Sequence, residues 1–258
     1  MKVIKDKWFY YQLCSGIIII IIIIIIIIAL LTVYLYHMIT KTWLRNIDSL
    51  FSPVLFQGQF FSFFTYQSNF LLGIWFIASA CTFHKRQYWW KNQYNRIAIT
   101  SYITVTCITF MAFLLPAMLM AEKFYFSKIL VGLFFHLVTP ILMIVYLFMH
   151  REKITLTNKQ YFGKVFPIYL IYPFLYTFFL CFRFGLYIND PVLNKIPYDI
   201  IFPYALLTKR DFPFIFANVF ELVFSIIAIL IISYLLFILV NIIYFFTIKV
   251  VSNRKGNL

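Results

Sequence analysis

Charge is what this chain has least of. Only 12% of its 258 residues are Asp, Glu, Lys or Arg, against roughly 25% in an ordinary soluble domain. Side chains that are 64% hydrophobic and 22% aromatic cannot be covered by so few charges in water, so the composition excludes a soluble globule and points to an integral membrane protein. Glycine is sparse as well. The seven glycines are scattered, with no Gly-rich loop to cradle a phosphate. Nor do they form the matched interruptions in two halves that mark many transporters. No self-similar period is present, and no ring of like residues suggests a channel. The four cysteines, Cys14, Cys81, Cys107 and Cys181, lie far apart in apolar runs. They offer neither a CxxC nor a Cys/His cluster, so no zinc site or disulfide framework is implied, and they read as small buried apolar residues. No metal and no cofactor is expected.

What is abundant is oil, in long runs. The chain reads as all-α: one integral membrane domain, residues 1–258, made of a polytopic six-helix bundle. Its spans are expected at about 13–36, 60–83, 97–120, 129–149, 162–184 and 214–248. The first contains twelve consecutive isoleucines, 17–28. The whole apolar run of that span, 13–36, is too long for a signal-peptide core of roughly 7–15 residues, and no small-residue cleavage site follows. Between the first two spans, Trp43, Leu44, Ile47, Leu50, Phe51 and Leu55 recur at helical spacing, which suits a short interfacial helix. The 33 phenylalanines and the isoleucine excess fit the codon bias of an AT-rich genome, and a bacterial plasma membrane is the expected location.

A net charge of +14 would suggest nucleic acid in a soluble protein. Topology explains it better here. The two termini and the loops after spans two and four carry 14 of the 22 Lys and Arg residues. By the positive-inside rule both termini are then cytoplasmic. The remaining partner this charge suggests is anionic lipid, not nucleic acid.

Polar residues inside such spans are costly and need a reason. Phe64-Thr65-Tyr66-Gln67-Ser68-Asn69 is a polar knot at the mouth of span two. Thr65 lies about five residues in from the outer face, and His136 and Glu221 about seven into spans four and six. At 1.5 Å per residue all three fall roughly 7–11 Å deep, in one outer-leaflet layer. Arg183, at the end of span five, could hang over it. Thr65, Ser68, Asn69 and Gly73 share a helical stripe, as do Gly132, His136, Thr139 and Pro140, and Asn218, Glu221, Ser225 and Ala228. Facing one another, the stripes would line a polar pocket. A packing network, with His136 bonded to Asn69 or Ser68, is the alternative use of the same residues. Trp89 and Trp90 read as interface anchors, and Thr100 and Thr104 as backbone-bonded hydroxyls.

The knot on span two and His136-Leu137-Val138-Thr139-Pro140 on span four resemble the androgen-induced type of membrane threonine hydrolase. They resemble still more its bacterial, mycoplasma-like six-span relatives of unknown function. The resemblance implies Thr65 as nucleophile, His136 as base and fatty-acyl esters as substrate. The chemistry is coherent. A threonine hydroxyl becomes nucleophilic when an adjacent base takes its proton, and neutral histidine suits that task near pH 7. The developing oxyanion needs donors, for which Gln67, Ser68 and Asn69 are candidates, with Glu221 and Arg183 as further pocket residues. Two functions are therefore open. One is an intramembrane hydrolase of lipid esters. The other is a non-enzymatic membrane protein, a small transporter or assembly factor, using the same polar layer for binding or packing.

Overall fold

The computed structural model describes residues 6–40, 64–84, 88–119, 126–188 and 219–254. All regular structure among them is helical. Six long helical stretches follow in order, with a single 3-10 turn at Trp89–Lys91 between the second and third: α1, Lys7–Ile39; α2, Phe64–Cys81; α3, residues 93–119; α4, 126–149; α5, 158–188; and α6, Val219–Arg254. Among the described residues four stretches are long and apolar enough to cross a membrane: Lys7–Thr32, Ile129–Met149, Asn158–Phe182 and Leu230–Asn253. The expected interfacial helix at 43–55 lies outside the described residues, as does nearly all of the 185–213 connection.

Three of these helices are locally unwound to π geometry, and a proline follows each wide turn, although Pro173 sits inside α5 without one. The π-turns span Phe110–Leu114, Phe134–Val138 and Tyr161–Val165. Each ends two residues before a proline: Pro116, Pro140 and Pro167. A proline ring collides with the carbonyl four residues back and cannot donate to it. The helix responds by widening one turn, so the N–H just ahead of each proline reaches five residues back: Leu115 to Phe110, Thr139 to Phe134 and Phe166 to Tyr161. Such wide turns are rare and recur at functional sites.

The bundle is cemented by two apolar clusters. Ile19 and Ile23 of α1, Leu72, Trp75 and Phe76 of α2, Ile103 of α3, and Phe135, Met143 and Tyr146 of α4 form one. The other joins Ile97 and Val105 of α3 and Leu147 of α4 to Tyr161 and Phe166 of α5 and Phe237, Val240, Phe245 and Ile248 of α6. Helices α3 and α4 thus lie between the two. Helix α1 runs against α2 at a glycine contact: a Cβ on Gly16 would lie 2.9 Å from the Gly73 carbonyl oxygen. The fourth residue of the expected polar stripe on α2 therefore faces α1 and not α4. Outward faces are apolar, as Ile171, Phe174 and Phe178 of α5 and Ile231, Leu235 and Leu239 of α6 show.

Three of the four cysteines, Cys14, Cys81 and Cys181, are exposed and Cys107 is half-buried, all as free thiols. The expectation of burial fails because they sit on outward helix faces, where an apolar solvent would receive a thiol as readily as a core. Of the two threonines read as backbone-bonded, Thr100 does donate to the Arg96 carbonyl at 2.6 Å. Thr104 instead meets the Tyr244 hydroxyl at 2.9 Å, tying α3 to α6.

Candidate active site

Thr65 is in the first turn of α2, and His136 is at the centre of the π-turn of α4. Their side chains meet: Thr65 Oγ1 lies 2.9 Å from His136 Nε2. The other ring nitrogen, Nδ1, lies 2.7 Å from the Gly132 carbonyl oxygen. A carbonyl can only accept, so Nδ1 carries the hydrogen, and when the ring is neutral Nε2 presents its lone pair. In that state the Thr65 hydroxyl is the donor. The geometry is that of a hydroxyl hydrogen-bonded to an imidazole which a third group orients.

The imidazole is also fixed from its face. Phe110, in the π-turn of α3, stacks on it with ring centroids 4.1 Å apart and planes at 14°. Gly132 makes room for that ring, since a Cβ there would lie 3.0 Å from two Phe110 ring carbons. Both Thr65 and His136 are half-buried, not sealed. A reacting group could reach them from the apolar surroundings.

The neighbours in the knot have other engagements. Ser68 donates its hydroxyl to the Thr65 carbonyl at 3.2 Å. Asn69 is fully buried, and its amide nitrogen donates to the carbonyls of Thr65 at 2.9 Å and Phe135 at 3.2 Å. Its Oδ1 accepts from Thr139 at 2.5 Å. Gln67 points elsewhere, its Oε1 accepting from Tyr172 of α5 at 3.5 Å. The side chains of Glu221 and Arg183 lie outside the described residues.

Sequence reasoning missed Phe110 altogether. A phenylalanine among 33 carries no signal by itself; its position six residues ahead of Pro116, matching Phe134 ahead of Pro140, was the available clue. Two further polar networks were missed as well. In one, Tyr161 donates to Asn241 Oδ1 at 2.7 Å and Asn241 reaches Ser101 at 3.2 Å, joining α5, α6 and α3. An amide alone in the apolar run 235–246 was its signal. In the other, buried Arg96 donates to the His150 carbonyl at 2.5 Å and pairs with Glu152 at 2.6 Å.

No protein-family model, curated protein or solved structure matches the chain. The site therefore has to be read from its own geometry. Among the described residues no cluster of His, Cys, Asp and Glu could hold a metal ion.

Proposed function

We propose that this chain is an intramembrane hydrolase of fatty-acyl esters. Its setting is a six-span bundle in the plasma membrane with both termini cytoplasmic. The observation that carries the reading is the 2.9 Å contact between Thr65 Oγ1 and His136 Nε2, with Nδ1 held on the Gly132 carbonyl. Thr65 attacks the ester carbonyl carbon as His136 Nε2 takes its proton. The tetrahedral intermediate collapses with loss of the alkoxide, which leaves as an alcohol after accepting that proton from Nε2. Water, activated by the same nitrogen, then releases the fatty acid and restores Thr65. The Gly132 carbonyl plays the part a carboxylate plays in a Ser-His-Asp triad, fixing tautomer and orientation. The apolar faces that flank the site, including Phe70 and Leu71 of α2 and Val138 and Ile141 of α4, suit a substrate with an acyl chain arriving sideways from lipid.

The test is covalent capture. Purified protein in detergent is incubated with a fluorophosphonate probe and a panel of lipid esters. Wild type should be labelled at Thr65 and Thr65→Ala should not, while Thr65→Ser keeps the hydroxyl and stays reactive. If wild type and Thr65→Ala behave alike, the contact is a packing device in a non-enzymatic membrane protein.

A further inference from the structure

The backbone around His136 leaves one carbonyl without a regular helical donor. In an α-helix the carbonyl of Phe135 would accept from the N–H of Thr139. Here the Thr139 N–H is bonded to Phe134. The next N–H in line belongs to residue 140, which is proline and has none. Phe135 is buried, so an unfilled carbonyl there would be costly. Two side chains fill it: Asn69 Nδ2 at 3.2 Å and Thr139 Oγ1 at 2.9 Å. The single hydroxyl proton of Thr139 is shared with Asn69 Oδ1 at 2.5 Å, which makes the amide the dedicated donor. Its second amide hydrogen goes to the carbonyl of Thr65 at 2.9 Å.

One side chain therefore holds the nucleophile's own peptide and the peptide preceding the base, across two helices. We infer that Asn69 is the positioning residue of this site: it sets the approach of Thr65 to His136 by occupying the carbonyl that Pro140 orphans. This changes its expected role, because with both amide hydrogens spent Asn69 has none left for an oxyanion. The pairing also explains the local sequence. An amide is the one small side chain that can donate twice and accept at once, and Thr139 fixes which end of it points where.

The inference rests on the hydrolase reading only for its kinetic arm. The structural arm uses 15N NMR of histidine-labelled protein in detergent micelles, which reports which ring nitrogen of His136 is protonated and whether the other accepts a hydrogen bond. Wild type should show a protonated Nδ1 and a hydrogen-bonded Nε2. Asn69→Ala should lose the hydrogen-bonded Nε2 signal, and Thr139→Val, which keeps size, should lose part of it, with Thr139→Ser restoring it. In the kinetic arm Asn69→Ala should lower kcat about a hundredfold while KM changes little, as misplacement of reacting groups does. If Asn69→Ala does not fold, the Thr139 pair decides. Wild-type His136 resonances in the folded variants, with only a lower melting temperature, would overturn the inference and leave Asn69 as packing. If wild type turns over no ester and takes no probe, the hydrolase reading fails while the NMR result still decides this one.

Discussion

At the scale of single residues, the position of the imidazole depends on a residue with no side chain. Gly132 accepts from His136 Nδ1 through its carbonyl, and its missing Cβ admits the Phe110 ring that stacks on the same imidazole. Substituting alanine keeps the carbonyl and adds a carbon 3.0 Å from that ring. Phe110 is 1% exposed, so it can yield only by moving with His136. Alanine is the better helix former by about 1 kcal/mol, which offsets the strain of that contact. The expected result for Gly132→Ala is an unchanged melting temperature with Thr65 labelled about tenfold more slowly, a barrier change of about 1.4 kcal/mol. Labelling at the wild-type rate would show that the stacked ring does not set the position of the base.

At the scale of elements, α1 poses a problem that its own sequence cannot solve. A run of identical isoleucines has no preferred face, yet Ile19 and Ile23 are fully buried while Ile25 and Ile28 are more than half exposed. Sidedness is imposed from the end of the run. Gln12, Ser15 and Gly16 continue the buried stripe at helical spacing. Gly16 touches α2 so closely that an added Cβ would meet Ile77 Cγ1 at 2.7 Å and the Gly73 carbonyl oxygen at 2.9 Å. Backbone cannot turn aside as a side chain can. Gly16→Ala should therefore separate the two helices and destabilise the bundle by about 1–3 kcal/mol, the usual cost of overpacking. Ile25→Ala, on the outward face, should cost under about 0.5 kcal/mol. Thermal melts in one detergent compare the two, and equal effects would mean the glycine contact does not direct α1.

At the scale of the whole molecule, one end of the bundle is tied by a polar cluster that couples folding to pH. His150 closes α4, its ring stacked on Tyr146 at 4.2 Å and met edge-on by Trp8 of α1 at 4.5 Å. Burial lowers its pKa below the ordinary value, and the Arg96 guanidinium pushes the same way. The backbone bond to Tyr146 and the carboxylates of Asp6 and Glu152 oppose the shift. A histidine whose folded pKa is depressed takes up its proton first in the unfolded chain. Its contribution to stability is complete above the unfolded value of about 6.5 and is lost as pH falls through the folded one. The melting temperature should hold from pH 8 to 7 and decline on acidification below that value, and His150→Gln should flatten the decline. The Arg96 bond to residue 150 survives in that variant, since it is made to the backbone carbonyl. A decline of the same size in His150→Gln would place the titrating group elsewhere.

The sequence alone determined the helical class, because unbroken apolar runs of about twenty residues suit helices, whereas barrel strands would be short and alternate apolar with polar residues. It also singled out Thr65 and His136, since polar side chains in such runs are too costly to be incidental. Each π-turn lies just ahead of a proline, yet Pro173 sits inside α5 without one, so proline alone did not mark them. What it left undecided depended on the approach of one helix to another. Spacing gave Ser68 and Asn69 the stripe of Thr65, but only packing showed their donors bonded to backbone carbonyls and the Asn69 oxygen to Thr139. Nothing in the isoleucine run told which face of α1 would be buried, and nothing in a phenylalanine told that it would lie on an imidazole. Periodicity fixes where a side chain sits on its own helix. Which partner it meets depends on the rotation and separation of two helices, and here close glycine contacts permit the approach of α1 to α2 and of α3 to α4.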